Sequence, residues 1–297
     1  MTTVRTLLSV AVIEYWHLHQ LNVNNAFLHG DLNEEVYMQL PPEYSSSIDP
    51  SVYKLKKSLY GLKQASRQWL SKLSSSLLQF GFTQGKSDSS LFIRKTLRSF
   101  MALLIYVDDV IIASDNLIDV ATMKKYLHDT FTIKDLGELK YFLGIEEARS
   151  SKGITPCQRK YALDILQDNG FSGCKPAAFP IKSTLKLSAN YSFPPLSNPA
   201  SYRRLVGCLL YLTITRLDLA YSVQALSQFM ANPSNIHLQA TERVLRYIKA
   251  TLGQGLFLSV ASSLHLKAYS DSDWRGCLDT RRSVTSFTMF IGDSLIS

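Results

Sequence analysis

Hydrophobic positions along the chain repeat at two spacings, and the switches between them mark out its elements. Val4, Leu7, Leu8, Ala11 and Val12 recur on one helical face and predict a helix over Val4–Tyr15. His17–Phe27 reads as a strand running into a turn at His29-Gly30-Asp31, and a second strand, Glu35–Leu40, stops at Pro41-Pro42. Trp69, Leu70, Leu73, Leu77 and Phe80 restore the helical period across Arg67–Phe80, and Gly81 ends it. Apolar, β-branched-rich runs predict strands at Leu91–Arg94, Ala102–Val107 and Val110–Ala113. A helix over Ile118–Thr130 follows, then strands at Tyr141–Glu147 and Ile154–Cys157 and a helix over Lys160–Asp168 closed by Gly170. Five of the ten prolines fall between Pro176 and Pro199, the composition of an extended linker. Beyond it the pattern predicts helices at Tyr202–Thr213, Asp218–Met230 and His237–Thr251, then a strand pair, Leu264–Ser270 with Ser283–Ile291. Strands separated by helices, with local hairpins, define an α+β class in which helices cover one face of a sheet.

Composition narrows the class further. A chain of 297 residues with 46% hydrophobic and 19% charged side chains builds globular cores and is not a disordered polymer. The net charge of +8 is spread along the chain, which suits a polyanionic partner such as nucleic acid. Cys157, Cys174, Cys208 and Cys277 lie far apart without C-x-x-C spacing, so neither a zinc knuckle nor a secreted disulfide framework is expected. His17 and His19 flank Leu18 on one face of a strand and do not read as a metal pair. Leu7–Ile13 is too short to cross a bilayer, and Glu14 follows it without a cleavage site. A chain without membrane spans, cytoplasmic or nuclear, is the expectation.

The chemistry concentrates at Asp108 and Asp109, set between two apolar strands. Tight hairpins prefer Asn-Gly or Asp-Gly, and two adjacent carboxylates repel each other there. Either the turn is a solvated acidic one, or a cation stabilises it, Mg²⁺ held by carboxylate oxygens being the obvious candidate.

Several strings converge on one family. Gln20-Leu21-Asn22-Val23-Asn24-Asn25-Ala26-Phe27-Leu28-His29-Gly30 resembles the first palm motif of copia-type retrotransposon reverse transcriptases. Ser58-Leu59-Tyr60-Gly61-Leu62-Lys63-Gln64-Ala65-Ser66-Arg67-Gln68-Trp69 resembles the second, and Tyr106-Val107-Asp108-Asp109 the third. Lys134 to Ile145 is similar to the stretch running into the primer grip, and Arg204-Leu205-Val206-Gly207, Arg243-Val244-Leu245-Arg246-Tyr247 and Tyr269-Ser270-Asp271-Ser272-Asp273-Trp274 continue the same polyprotein in order. The resemblance implies a right-hand polymerase palm with partial fingers over 1–175, a linker over 176–200, a helical thumb or connection over 201–255, and a truncated ribonuclease H-like segment over 256–297. It implies catalytic, metal-binding roles for Asp108 and Asp109, with Mg²⁺ as cofactor and Mn²⁺ as its substitute. Phe27 would form the floor under the sugar, though taken alone it reads as ordinary core. Gly61 and Gln64 would border the incoming deoxynucleotide, and Leu143-Gly144-Ile145 would grip the primer. The implied partners are an RNA template, a DNA primer or RNA–DNA hybrid, and deoxynucleotides, within a larger polyprotein. Lys54, Lys56, Lys57, Lys63 and Arg67 form a basic cluster that meets phosphates or is a solvated face.

The departures from the family pattern bear on activity. Asn22 stands where the family has its first metal-binding aspartate, and an amide offers one neutral oxygen and an NH₂ that repels metal. Ser66 replaces a usual proline. The family's basic fingers strands would precede Val4, and Asp271 resembles the first carboxylate of a ribonuclease H site whose partners would lie beyond Ser297. Three readings follow: a polymerase by descent, a catalytically inactive nucleic-acid-binding remnant, and a host-adopted scaffold that no residue requires.

Overall fold

The computed structural model describes residues 1–39, 52–182, 184–185, 187–188, 194–277 and 279–297. In chain order the elements begin with α1 (Thr2–Ile13), β1 (His17–Val23), β2 (Tyr37–Gln39), β3 (Val52–Lys54) and α2 (Ala65–Gln79). Next come β4 (Thr83–Gln84), β5 (Leu91–Lys95), β6 (Phe100–Tyr106), β7 (Asp109–Ser114), α3 (Leu117–Phe131) and β8 (Ile133–Glu138). There follow β9 (Tyr141–Phe142), β10 (Ile145–Ser150), β11 (Gly153–Cys157) and α4 (Arg159–Asp168). The chain closes with α5 (Pro199–Leu212), α6 (Ala220–Ser227), α7 (Asn235–Ala250), β12 (Leu258–Ser259), β13 (Leu266–Ser272), β14 (Thr285–Ile291) and β15 (Ser294–Leu295). The class is mixed α and β, as expected. The expected strand stop at Leu40 and Pro41-Pro42 lies outside the described residues, as do residues 183, 186 and 189–193 of the linker.

The chain divides into two compact units, Glu14–Leu139 and the pair of segments Met1–Ile13 and Lys140–Ser297. In Glu14–Leu139 an antiparallel sheet has the order β4-β5-β6-β7-β1-β8. Trp69, Leu73 and Leu77 of α2 and Val120, Met123, Leu127 and Phe131 of α3 pack on Leu21, Val23, Phe92, Met101, Leu103, Ile105, Val110 and Ile112 of the strands. These sheet positions alternate, since successive strand side chains point to opposite faces. Ala102, Leu104, Ile111 and Ala113, on the other face, are buried as well. The expectation of a sheet covered on one face therefore needs correction at β6 and β7, whose unbroken apolar runs are those of strands buried on both faces.

In the other unit, α4, α5, α6 and α7 share a core that includes Ile165, Tyr202, Val206, Leu209, Val223, Val244 and Ile248. Asn198 caps α5 by accepting from the Ala200 and Ser201 N–H groups, and Pro199 sits in its first turn. The sheets β12-β11-β10-β9 and β13-β14-β15 belong to the same unit. The predicted strand Tyr141–Glu147 is broken in two, because Leu143 and Gly144 form a two-residue hairpin loop with φ of +49° and +74°. Both signs match a primed hairpin turn, and Gly144 takes its position without the strain a side chain brings. All four cysteines are unpaired thiols. No helix among the described residues is long and apolar enough to cross a membrane.

Candidate active site

The ladder between β1 and β7 places Asn22 directly across from Asp109. The loop between β6 and β7 consists of Val107 and Asp108, with Tyr106 paired to Asp109. The turn thus lies one residue earlier than the sequence suggests, and Asp109 is already the first residue of a strand. The Val23 N–H donates to the Asp108 carbonyl at 2.7 Å, which ties the loop back to β1.

Three side chains meet here. The Asn22 amide donates its Nδ2 hydrogens to Asp108 Oδ2 and to Asp109 Oδ1, each at 3.3 Å. Burial pushes the Asp109 carboxyl above its ordinary range, and the adjacent Asp108 charge adds to the shift. Hydrogen bonds donated by Asn22 and by Gln20 offset part of it. Gln20 is two residues before Asn22 on the same face of β1, and sequence reasoning missed it because a lone strand glutamine carries no pattern. Among the described residues no group of three or more His, Cys, Asp or Glu side chains gathers to hold a metal ion. At this hairpin the third member is an amide.

Phe27 lies in a short 3-10 turn, Ala26–His29, half-buried against the sheet-and-helix core. Its ring meets that of Tyr60 with centroids 4.5 Å apart, which brings the segment carrying Gly61 beside it. Gly61 has φ of +95°. Gln64 precedes α2 and donates to Glu34 at 3.4 Å. In the basic cluster, Lys54 pairs with Glu35, and Asp31 takes Lys57 together with Lys72, the latter at 2.7 Å. Those two lysines hold the Asp31 carboxyl down at about 2. Lys56, Lys63 and Arg67 have no carboxylate partner among the described residues, so the cluster's free charge is smaller than its lysine count suggests.

The family model for reverse transcriptase (RNA-dependent DNA polymerase) matches residues 1–183. The chain belongs to the reverse transcriptase family. The retrovirus-related Pol polyprotein from transposon RE1 of Arabidopsis thaliana is 43% identical over 297 residues, covering 100% of this chain and 20% of that protein. The retrovirus-related Pol polyprotein from transposon TNT 1-94 of Nicotiana tabacum is 34% identical, covering 100% of this chain and 23% of that protein. This reverse transcriptase chain thus spans about a fifth of the length of those two relatives. A putative transposon Ty5-1 protein of Saccharomyces cerevisiae is 29% identical over 280 residues, 93% of this chain and 91% of that protein.

The reverse transcriptase match takes in Asn22, Phe27, Gly61, Gln64, Asp108, Asp109 and Leu143-Gly144-Ile145. The last three lie in the other compact unit, at the β9–β10 hairpin. There the Tyr211 hydroxyl donates to the Leu143 carbonyl, and a Cβ on Gly144 would stand 3.1 Å from that hydroxyl. Asp271 falls beyond the matched residues, on β13 opposite Ser286, with its side chain exposed.

Proposed function

We propose that this chain is the palm-containing part of an RNA-directed DNA polymerase that works within a longer Pol polyprotein, and that Asn22 impairs it. The observation that carries the reading is the meeting of Asn22 with Asp108 and Asp109 at one hairpin, within 3.3 Å in both cases. Nucleotide addition is an in-line displacement at phosphorus, so the protein contributes positioning and charge.

The donor chemistry fits one divalent cation more readily than two. Asp108 and Asp109 supply anionic oxygens, while the Asn22 amide presents hydrogens to them where the family has a third carboxylate. Magnesium, or manganese in its place, would be held by Asp108 and Asp109 and would supply positive charge against the triphosphate and the attacking 3′-hydroxyl. Phe27, backed by Tyr60, forms the floor under the deoxynucleotide sugar and excludes a 2′-hydroxyl by bulk. Gly61 and Gln64 border the incoming nucleotide and the RNA template. Leu143, Gly144 and Ile145 hold the primer end, a tight backbone turn being suited to a close approach to a sugar-phosphate chain.

Losing one preorganised charged group costs roughly 3–4 kcal/mol, about a hundredfold to a thousandfold in rate. Asn occupies nearly the volume of Asp, so the loss falls on chemistry and not on folding. The finer architecture belongs to the same proposal: a palm with partial fingers, a helical thumb or connection in α5–α7, and a ribonuclease H-like end carrying Asp271. A second reading, a nucleic-acid-binding remnant without turnover, is favoured by the same amide, since it pairs the two carboxylates internally.

Primer extension on an RNA template with Mg²⁺ tests the proposal. Asn22→Asp is expected to raise incorporation by about a hundredfold or more over the native chain. No incorporation by either protein, with both folded and both binding the hybrid, would remove the polymerase reading and leave the remnant.

A further inference from the structure

Trp69 is 1% exposed on α2, and its ring packs edge-on against Phe131 at 5.2 Å. Its indole Nε1–H does not end in the core. It donates to the Val107 carbonyl oxygen at 2.6 Å, in the two-residue loop that carries Asp108. Val107 has φ of +57°. A β-branched residue is a genuine outlier in that region, and two-residue hairpins that need positive φ at their first central position normally put glycine, asparagine or aspartate there. The Val107 peptide therefore requires a restraint from its surroundings. Two hydrogen bonds from different elements supply it: the indole from α2 onto the Val107 carbonyl, and the Val23 N–H from β1 onto the Asp108 carbonyl at 2.7 Å.

We propose that Trp69 is a positioning residue whose indole N–H holds the Val107 peptide in its left-handed conformation and so aims Asp108 and Asp109 at residue 22. Losing that hydrogen bond frees Val107 to return to negative φ, which rotates the peptide leading into Asp108. A tryptophan acting only as core filler makes a different prediction, because phenylalanine would then serve nearly as well. The purpose of the restraint rests on the polymerase reading of the hairpin; its existence does not.

The test is NMR-detected hydrogen exchange at the Val23 amide, with Ile112 at the centre of the sheet as reference. Trp69→Phe keeps an aromatic ring and removes the donor. Val23 exchange is expected to rise about tenfold relative to Ile112, the effect of one lost hydrogen bond on a local opening. Adding Val107→Gly makes positive φ free of strain, so the double variant is expected to return close to the native rate. In the native chain the Trp69 indole N–H and the Val23 amide are expected to exchange together, both faster than Ile112, a comparison that stands even where Trp69→Phe does not fold. Unchanged Val23 exchange in Trp69→Phe, a rise shared equally by Ile112, no rescue by Val107→Gly, or unlinked native rates would each overturn the proposal. A terbium titration of the same variants in an Asn22→Asp background separates the two claims. Weaker binding in Trp69→Phe, recovered by Val107→Gly, extends the proposal to the carboxylates. The expected exchange pattern with no terbium bound by any variant upholds the restraint and removes the polymerase reading.

Discussion

Asn22 donates to two neighbouring aspartates, and the proposed consequence for cation binding follows from which atoms of an amide carry hydrogens. With both Asp108 and Asp109 accepting from its nitrogen, the amide occupies one acceptor site on each carboxylate and adds no negative charge of its own. The sequence drew attention to Asn22 through the surrounding motif, and the structure brings it against Asp108 and Asp109. The position of the turn was not legible in the sequence: Val107 takes φ of +57° and accepts from Trp69, 38 positions away, and no local pattern records either. Asp31 offers a second residue-scale test. Its carboxyl is held at about 2, below its ordinary 3.8, chiefly by the Lys57 and Lys72 hydrogen bonds. A depressed carboxylate contributes stability above its unfolded value and loses it as pH falls through the folded one. Urea unfolding of the native chain and of Asp31→Asn is therefore expected to differ above pH about 4 and to converge toward pH about 2. The exposure of the pair keeps that difference small.

Elements with strong apolar repeats were predicted within a few residues: α1, α2, α3, α4, α7 and the paired strands β6, β7, β13 and β14. β8 was missed. It lies at the edge of its sheet, its residues Ile133-Lys134-Asp135-Leu136-Gly137-Glu138 are mostly exposed, and its pairing with β1 shifts register between His19 and Leu21. An edge strand with little to bury leaves no hydrophobic signature, and charged residues there discourage pairing with another chain. The break between β9 and β10 was hidden for another reason, since Leu143 looks like a strand residue and takes φ of +49° with its carbonyl held by Tyr211. Tyr211→Phe is expected to destabilise that hairpin by about 1 kcal/mol, read from chemical denaturation. Gly153 gives a stronger case. At φ of +151° a Cβ would fall 2.0 Å from the Leu258 carbonyl, so Gly153→Ala must push β12 away from β11. A loss of roughly 1–3 kcal/mol in the same measurement is expected, and an unchanged midpoint would mean the strands do not pair this way.

For the whole molecule, the charge of +8 was informative as a class statement and silent about place. The structure pairs Lys54, Lys57 and Lys72 with carboxylates, which shows where charge is locally neutralised and leaves the net excess unchanged. Binding to an RNA–DNA hybrid is accordingly expected to weaken by at least about tenfold between roughly 50 and 200 mM salt, measured by fluorescence anisotropy. Salt-independent binding would mean that phosphate contacts do not dominate. The compact units group Met1–Ile13 with Lys140–Ser297, a long-range assignment that contiguous sequence segments cannot express. What ties these scales together is the claim that residue 22 sets the cation-binding power of the β6–β7 hairpin. Manganese titration followed by paramagnetic resonance tests it most directly, on the native chain, on Asn22→Asp, and on Asn22→Asp combined with Asp108→Asn. The expected result is binding tightened by at least about tenfold with Asp at position 22, and lost again when Asp108 is removed. Equal affinity with Asn or Asp at position 22, or tight binding that survives Asp108→Asn, would contradict it.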